Sequence, residues 1–186
     1  MPEIITFNEI RQLLGSKKHL YEEINSSLRK SMNFSMSYHN IFLSHSSKDN
    51  EFLPYIIKVL KNHGGNPYVD IGDNKLPTPP SVDTAKILKS NIEKAKRFVL
   101  FLTTNSKGSN WVPWELGLGD GAKNNNDIAI FPSTEVASNS SWVNQEYLGL
   151  YRKIVWGQLN GYINKVWMVW DKTSSTATEL SKWISE

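Results

Sequence analysis

The chain contains no cysteine in its 186 residues. That absence removes disulfides, zinc–thiolate sites and cysteine nucleophiles together, and it agrees with a reducing compartment. Long hydrophobic runs are missing too. No stretch approaches the roughly 20 apolar residues of a membrane helix, and the N-terminus carries acidic residues early, with no apolar signal core. The expectation is a cytoplasmic protein with no membrane partner. Charge of one sign is scarce: 21 Lys and Arg against 18 Asp and Glu leave a net charge of +3. With no long basic run and no interleaving of basic and aromatic residues, no nucleic-acid partner is expected. The phosphate-binding pattern G-x-x-x-x-G-K-S/T is absent, which argues against phosphoryl transfer of that kind. The four histidines, His19, His39, His45 and His63, form no H-x-x-x-H pair and none lies near a carboxylate pair, so no metal is expected. There is no internal repeat.

What remains is an ordinary folded composition, 39% hydrophobic and 21% charged, with seven tryptophans. The length suits one domain plus an extension. A chain of about 150 residues buries close to 70% of its unfolded surface. Residues 1–37 read as a helical N-terminal extension. Thr6-Phe7-Asn8-Glu9 fits a capping box, Phe7, Ile10, Leu13 and Leu14 share a face, and Gly15 is a stop. A second helix carries Tyr21, Ile24 and Leu28, and Asn33 to His39 is a linker. The main domain spans 38–186. Its strands are predicted at Ile41–Leu43, Pro67–Ile71, Arg97–Thr103, Asp127–Pro132 and Lys165–Trp170.

Helices are predicted between these strands. Asp49 caps one with a stripe of Phe52, Leu53, Ile56, Ile57 and Leu60, ended by Gly64-Gly65. A second carries Ala85, Leu88, Ile92 and Ala95. Ser109 caps a third that runs to about Lys123. Trp142 to Tyr162 holds one or two further helices. Thr176-Ala177-Thr178-Glu179 is a capping box opening a last helix with Leu180, Trp183 and Ile184. Strands alternating with helices imply a parallel sheet covered on both faces. The expected fold is α/β and flavodoxin-like, five strands in the order 2-1-3-4-5. Its ligand crevice lies beyond the carboxyl ends of strands one and three, at Ser44 and Thr103.

Two segments converge there. Ile41-Phe42-Leu43-Ser44-His45-Ser46-Ser47-Lys48-Asp49 is a buried strand breaking into a polar loop. Ser109-Asn110-Trp111-Val112-Pro113-Trp114-Glu115-Leu116-Gly117 places Trp111 and Glu115 four apart, on one face of a helix start. Ser44, Ser46 and Ser47 either meet phosphates through loop N–H groups or simply cap the next helix. Trp111 is a pocket wall or a core ring. Trp114 points elsewhere, for packing or for a neighbouring subunit. Glu115 is a reactive carboxylate or a helix-start acid placed for the dipole.

These segments resemble the Toll/interleukin-1 receptor (TIR) domain. The first is similar to the opening strand and loop written F-I-S-H-S-x-x-D in bacterial members, the second to the S-x-W-x-x-x-E element, and the likeness covers about residues 38–186. The resemblance implies a stand-alone bacterial protein of the Thoeris anti-phage type. Such an enzyme cleaves NAD at the nicotinamide–ribose bond to give nicotinamide with ADP-ribose, a cyclic ADP-ribose isomer or another ADP-ribosyl signal. NAD is then the substrate and no cofactor is needed. By the same resemblance Glu115 is the catalytic carboxylate, and Ser44, His45, Ser46 and Trp111 border the nicotinamide-ribose pocket. Activity would need a homo-oligomer, and a separate effector protein would sense the product. In animal signalling members the loop after the second strand carries R-D-x-x-P-G. Here Gly72 to Pro80 lacks both pairs, which weakens an adaptor role. Asp73 and Lys75 in that loop touch NAD, a neighbouring subunit or only solvent.

One carboxylate suffices for this chemistry because nicotinamide leaves as a neutral molecule and needs no acid. Ordinary glycosides use a pair of carboxyls because the leaving oxygen must be protonated by one of them. Two rivals stand beside this reading. One is a non-catalytic TIR interaction module. The other is a nucleoside deoxyribosyltransferase-like enzyme that uses a crevice carboxylate on nucleosides and ignores NAD.

Overall fold

Runs of β-branched and aromatic residues, apolar at every position, build the middle of a sheet that is covered on both sides. The computed structural model describes residues 3–13, 39–71, 76–135 and 146–186. Its elements in chain order are β1 (Ile5–Thr6), α1 (Phe7–Leu13), β2 (Ile41–Ser44), α2 (Leu53–Asn62), β3 (Pro67–Tyr68), α3 (Val82–Lys94) and β4 (Arg97–Leu102). They continue with α4 (Trp111–Ala122), β5 (Ile128–Thr134), β6 (Arg152–Gly157), β7 (Val166–Asp171), β8 (Thr176–Glu179) and α5 (Leu180–Ser185). The sheet runs β3-β2-β4-β5-β6-β7-β8, with β1 paired to the far end of β5. Strands β3 through β6 are parallel, and β6-β7-β8 form an antiparallel meander.

Alternation along each strand sends successive side chains to opposite faces. Ile41, Leu43, Val99 and Phe101 join a core with α2, Phe7, Ile10 and Trp183. Phe42, Phe98, Leu100 and Leu102 join the other, with Leu88 and Ile92 of α3 and Val112 and Leu116 of α4. On that second face Tyr68, Phe42 and Phe98 stack across three strands, with centroids 5.5 and 5.6 Å apart. Gly119 seats α4 on this pile. A Cβ there would lie 2.9 Å from the Phe98 ring, so only glycine lets the helix backbone come this close.

The mainly parallel α/β sheet with helices on both faces is as expected, and the order of its first four main strands is the predicted one. The fifth differs. Its expected place beside β5 is held by β6, from a stretch read as helical, while the predicted fifth strand is β7, antiparallel and one place further out. Lys153, Ile154 and Val155 are buried against the sheet, and a turn with Gly161 at φ 89° returns the chain into β7. Thr176–Glu179 is a strand rather than a capping box. Its Thr-Ala-Thr run pairs with β7, and Glu179 itself caps α5, accepting from the Lys182 N–H at 3.1 Å.

Asp49 caps no helix. It closes a short 3-10 turn, Ser47–Asp49, and α2 begins only at Leu53, with a proline in its first turn. The Thr6–Glu9 capping box and the Ser109 cap do form. The described start of the N-terminal extension enters the main core: Ile5, Phe7 and Ile10 are buried in it, and Phe7 stacks on Phe52 at 4.3 Å. Leu14, Gly15, the second helix and the expected boundary at 37/38 lie outside the described residues. Among the described residues no helix is long and apolar enough to cross a membrane.

Candidate active site

The chain leaves β2 toward α2 on one face of the sheet and leaves β4 toward α4 on the other. This is a switch point, and the crevice opens above it. Ser44 ends β2 inside the sheet, fully buried. Glu115 lies one turn into α4, four residues after Trp111, and points back over the strand ends. The Ser44 hydroxyl donates to Glu115 Oε2 at 2.5 Å. Two residues 71 apart in sequence are thereby joined, as the predicted convergence of strand end and helix start requires.

A cleft of about 570 Å³ opens over this pair. Its walls include His45 and Ser47 after β2, Asp70 after β3, Ser109 and Trp111 at the start of α4, and Thr84 of α3. The His45 ring is buried, with Nδ1 3.7 Å from Asp70 Oδ1. Trp111 is half-buried, its ring edge-on to Trp114 with centroids 5.4 Å apart. Trp114 is exposed and is not part of the cleft lining. Ser46 is buried, and its hydroxyl accepts from the Lys48 N–H. It closes the turn from behind while Ser47 faces the cleft. Asp73 and Lys75 lie outside the described residues.

Burial decides the electrostatics. It pushes the Glu115 carboxyl up to about 8; the Ser44 hydrogen bond pulls the other way and the nearby Asp70 charge adds to the rise. Burial also lowers His45, against the opposing pull of Asp70, the Leu43 carbonyl and Asn50. Burial therefore favours the protonated form of Glu115 at neutral pH. An entering cation would favour its ionised form.

Beneath the cleft a buried carboxylate locks the two loops together. Asp49 accepts from Thr103 Oγ1 and from Asn105 Nδ2, each at 2.7 Å. Burial raises its pKa and these two bonds lower it, with burial prevailing. The loop after β2, carrying His45 and Ser47, is thus tied to the loop after β4 that leads into α4. Sequence reasoning missed this role for Asp49, and it missed Asp70, Ser109 and Thr84. For Asp70 a signal existed, since it lies near the carboxyl end of the second predicted strand, toward the crevice. No group of three or more His, Cys, Asp or Glu is placed to hold a metal among the described residues.

In chemical terms the arrangement offers one buried carboxylate, anchored by a hydroxyl, facing a cleft with a tryptophan wall. It can hold sugar hydroxyls, stabilise developing positive charge and accept a proton. Comparison with known proteins agrees in kind. The family model described as the TIR domain matches residues 41–162. The probable 3' cyclic ADP-D-ribose synthase ThsB' of Bacillus cereus (strain MSX-D12) is 35% identical over 133 residues, 70% of this chain and 68% of that protein.

Proposed function

Because the chain belongs to the TIR domain family, we propose that it consumes NAD, breaks the nicotinamide–ribose bond and makes a cyclic ADP-ribose isomer as a signal in anti-phage defence of the Thoeris type. The name of its Bacillus cereus relative supports the cyclic product. The observation that carries the reading is the buried Glu115 carboxylate, hydrogen-bonded to Ser44 in the crevice at the switch point.

The reaction needs little beyond this carboxylate. The bond between ribose C1′ and the pyridinium nitrogen breaks, and its electron pair goes to nicotinamide, which leaves neutral. The positive charge moves onto the ribose. Ionised Glu115 holds the ribose hydroxyls and stabilises that charge, which is worth several kcal/mol where water is excluded. A hydroxyl elsewhere in the same molecule captures C1′ and gives its proton to Glu115, for which a raised proton affinity is an advantage. Trp111 and His45 border the ribose and nicotinamide pocket, and Ser47 borders the phosphates. Ser44 holds Glu115 from behind. Self-association completes the active enzyme, and a separate effector protein senses the product.

The test is product identity. Purified protein is incubated with NAD at high protein concentration, and the products are separated and weighed. Nicotinamide with a partner lighter than ADP-ribose by one water supports cyclisation. ADP-ribose itself would replace cyclisation by hydrolysis. Unchanged NAD alongside cleavage of nucleosides would favour the deoxyribosyltransferase-like alternative.

A further inference from the structure

Asp70 stands out as a charge that the reaction outlined above does not use. It follows β3 at the edge of the parallel strands and lines the cleft beside His45. Its side chain is 41% exposed, whereas the neighbouring His45 ring is 3% exposed. His45 follows Ser44 at the end of the adjacent strand β2, and the Asp70 charge is near enough to Glu115 to raise its pKa. One carboxylate therefore lies deep in the cleft and a second lies at its rim, beside a buried imidazole whose burial favours the neutral ring. Among the described cleft-lining residues there is no lysine or arginine to neutralise them.

We infer that Asp70 is a specificity-determining residue that selects the cationic nicotinamide ring of oxidised dinucleotide over the neutral ring of the reduced form. The inference rests on NAD being the ligand of this cleft. Its logic is the movement of charge. With the ribose on Glu115, the ring attached to it extends toward the rim. In the ground state the positive charge sits on that ring, where Asp70 meets it. As the bond breaks, the charge moves to the ribose and toward Glu115. An anion at the leaving-group end therefore binds the ground state better than the transition state. Its removal raises KM and does not depress kcat. Glu115 does the reverse. A partly solvated charge pair at close range corresponds to roughly a tenfold preference.

Equilibrium binding tests this apart from catalysis. Glu115→Gln protein, which has no anion at the ribose, is titrated with NAD and with its reduced form, alone and combined with Asp70→Asn or Asp70→Glu. The expected result is about tenfold tighter binding of the oxidised form, reduced to twofold or less by Asn and kept by Glu, with affinity for the reduced form unchanged throughout. Equal binding of the two forms before Asp70 is changed, equal loss of both in Asp70→Asn, or binding of neither overturns the inference. Turnover of NAD by the wild-type chain judges the proposed function separately, and there Asp70→Asn alone is expected to raise KM about tenfold and to raise kcat with it, leaving kcat/KM within about threefold.

Discussion

Replacing Glu115 by glutamine separates the cost of burying this carboxylate from its use. Glutamine keeps the shape and still accepts the Ser44 hydroxyl, but it never ionises. In the folded chain the Glu115 carboxyl is raised from 4.5 to about 8, so the folded state binds the proton more tightly than the unfolded state. The stability this brings is fully present below pH 4.5 and declines by about 1.4 kcal/mol for each pH unit above that. It is gone above about pH 8, a total of about 5 kcal/mol. That is comparable to the whole stability of many domains. Other titrating groups, the raised Asp49 among them, are common to both proteins and cancel in the difference. Denaturant unfolding of the two proteins from pH 4 to pH 9 is the assay. The gap between them is expected to widen steadily in favour of glutamine across this range and to level off at the alkaline end. Parallel curves would refute the claim that Glu115 is buried at a cost in ionisation.

Three further outcomes follow from the same geometry. Ser44→Ala removes the bond that favours ionised Glu115. The rising limb of kcat/KM against pH, expected near pH 8 in the wild type, is then displaced to higher pH by up to about one unit. Gly119→Ala gains about 1 kcal/mol of helix propensity but puts a methyl 2.9 Å from the Phe98 ring, and overpacking of this kind costs about 1–3 kcal/mol. Net destabilisation is expected by thermal unfolding, with loss of turnover as α4 lifts Glu115 from the cleft. Asp49→Ala leaves Thr103 and Asn105 without their acceptor. It is expected to cost about 2–4 kcal/mol in denaturant unfolding, with Asp49→Asn costing less.

The sequence carried the centre of the fold and the deepest part of the cleft because both are local signals. Ile41–Leu43 and Arg97–Leu102 announce buried parallel strands. The residue that ends the first, and the acid one turn into the helix after the other, must then meet above the sheet. Ser44 and Glu115 do so at hydrogen-bond distance. Asp70 is different in kind. Its strand has only two residues, and its carboxylate reaches the cleft only through the register of β3 on β2. Asp49 has the right residue type for a cap at the right place, yet it turns inward because Thr103 and Asn105, far along the chain, offer donors. At the meander the strand formers are only the three residues Ile154, Val155 and Trp156, flanked by Arg152, Lys153 and Gly157, and the partner β7 lies beyond an eight-residue turn. Tertiary pairing settles the outcome there. The Thr-Ala-Thr of β8 likewise yields to pairing with Met168–Asp171.

The central claim is that Glu115 drives cleavage of NAD. Its most direct test is the rate of nicotinamide release by the wild-type chain and by Glu115→Gln, at a protein concentration high enough for self-association. Loss of a transition-state contact worth about 3–4 kcal/mol predicts a fall of several hundredfold, with the variant folded and still binding NAD. Equal rates in the two proteins, or intact NAD in both, would contradict the account and leave this TIR domain as an interaction module.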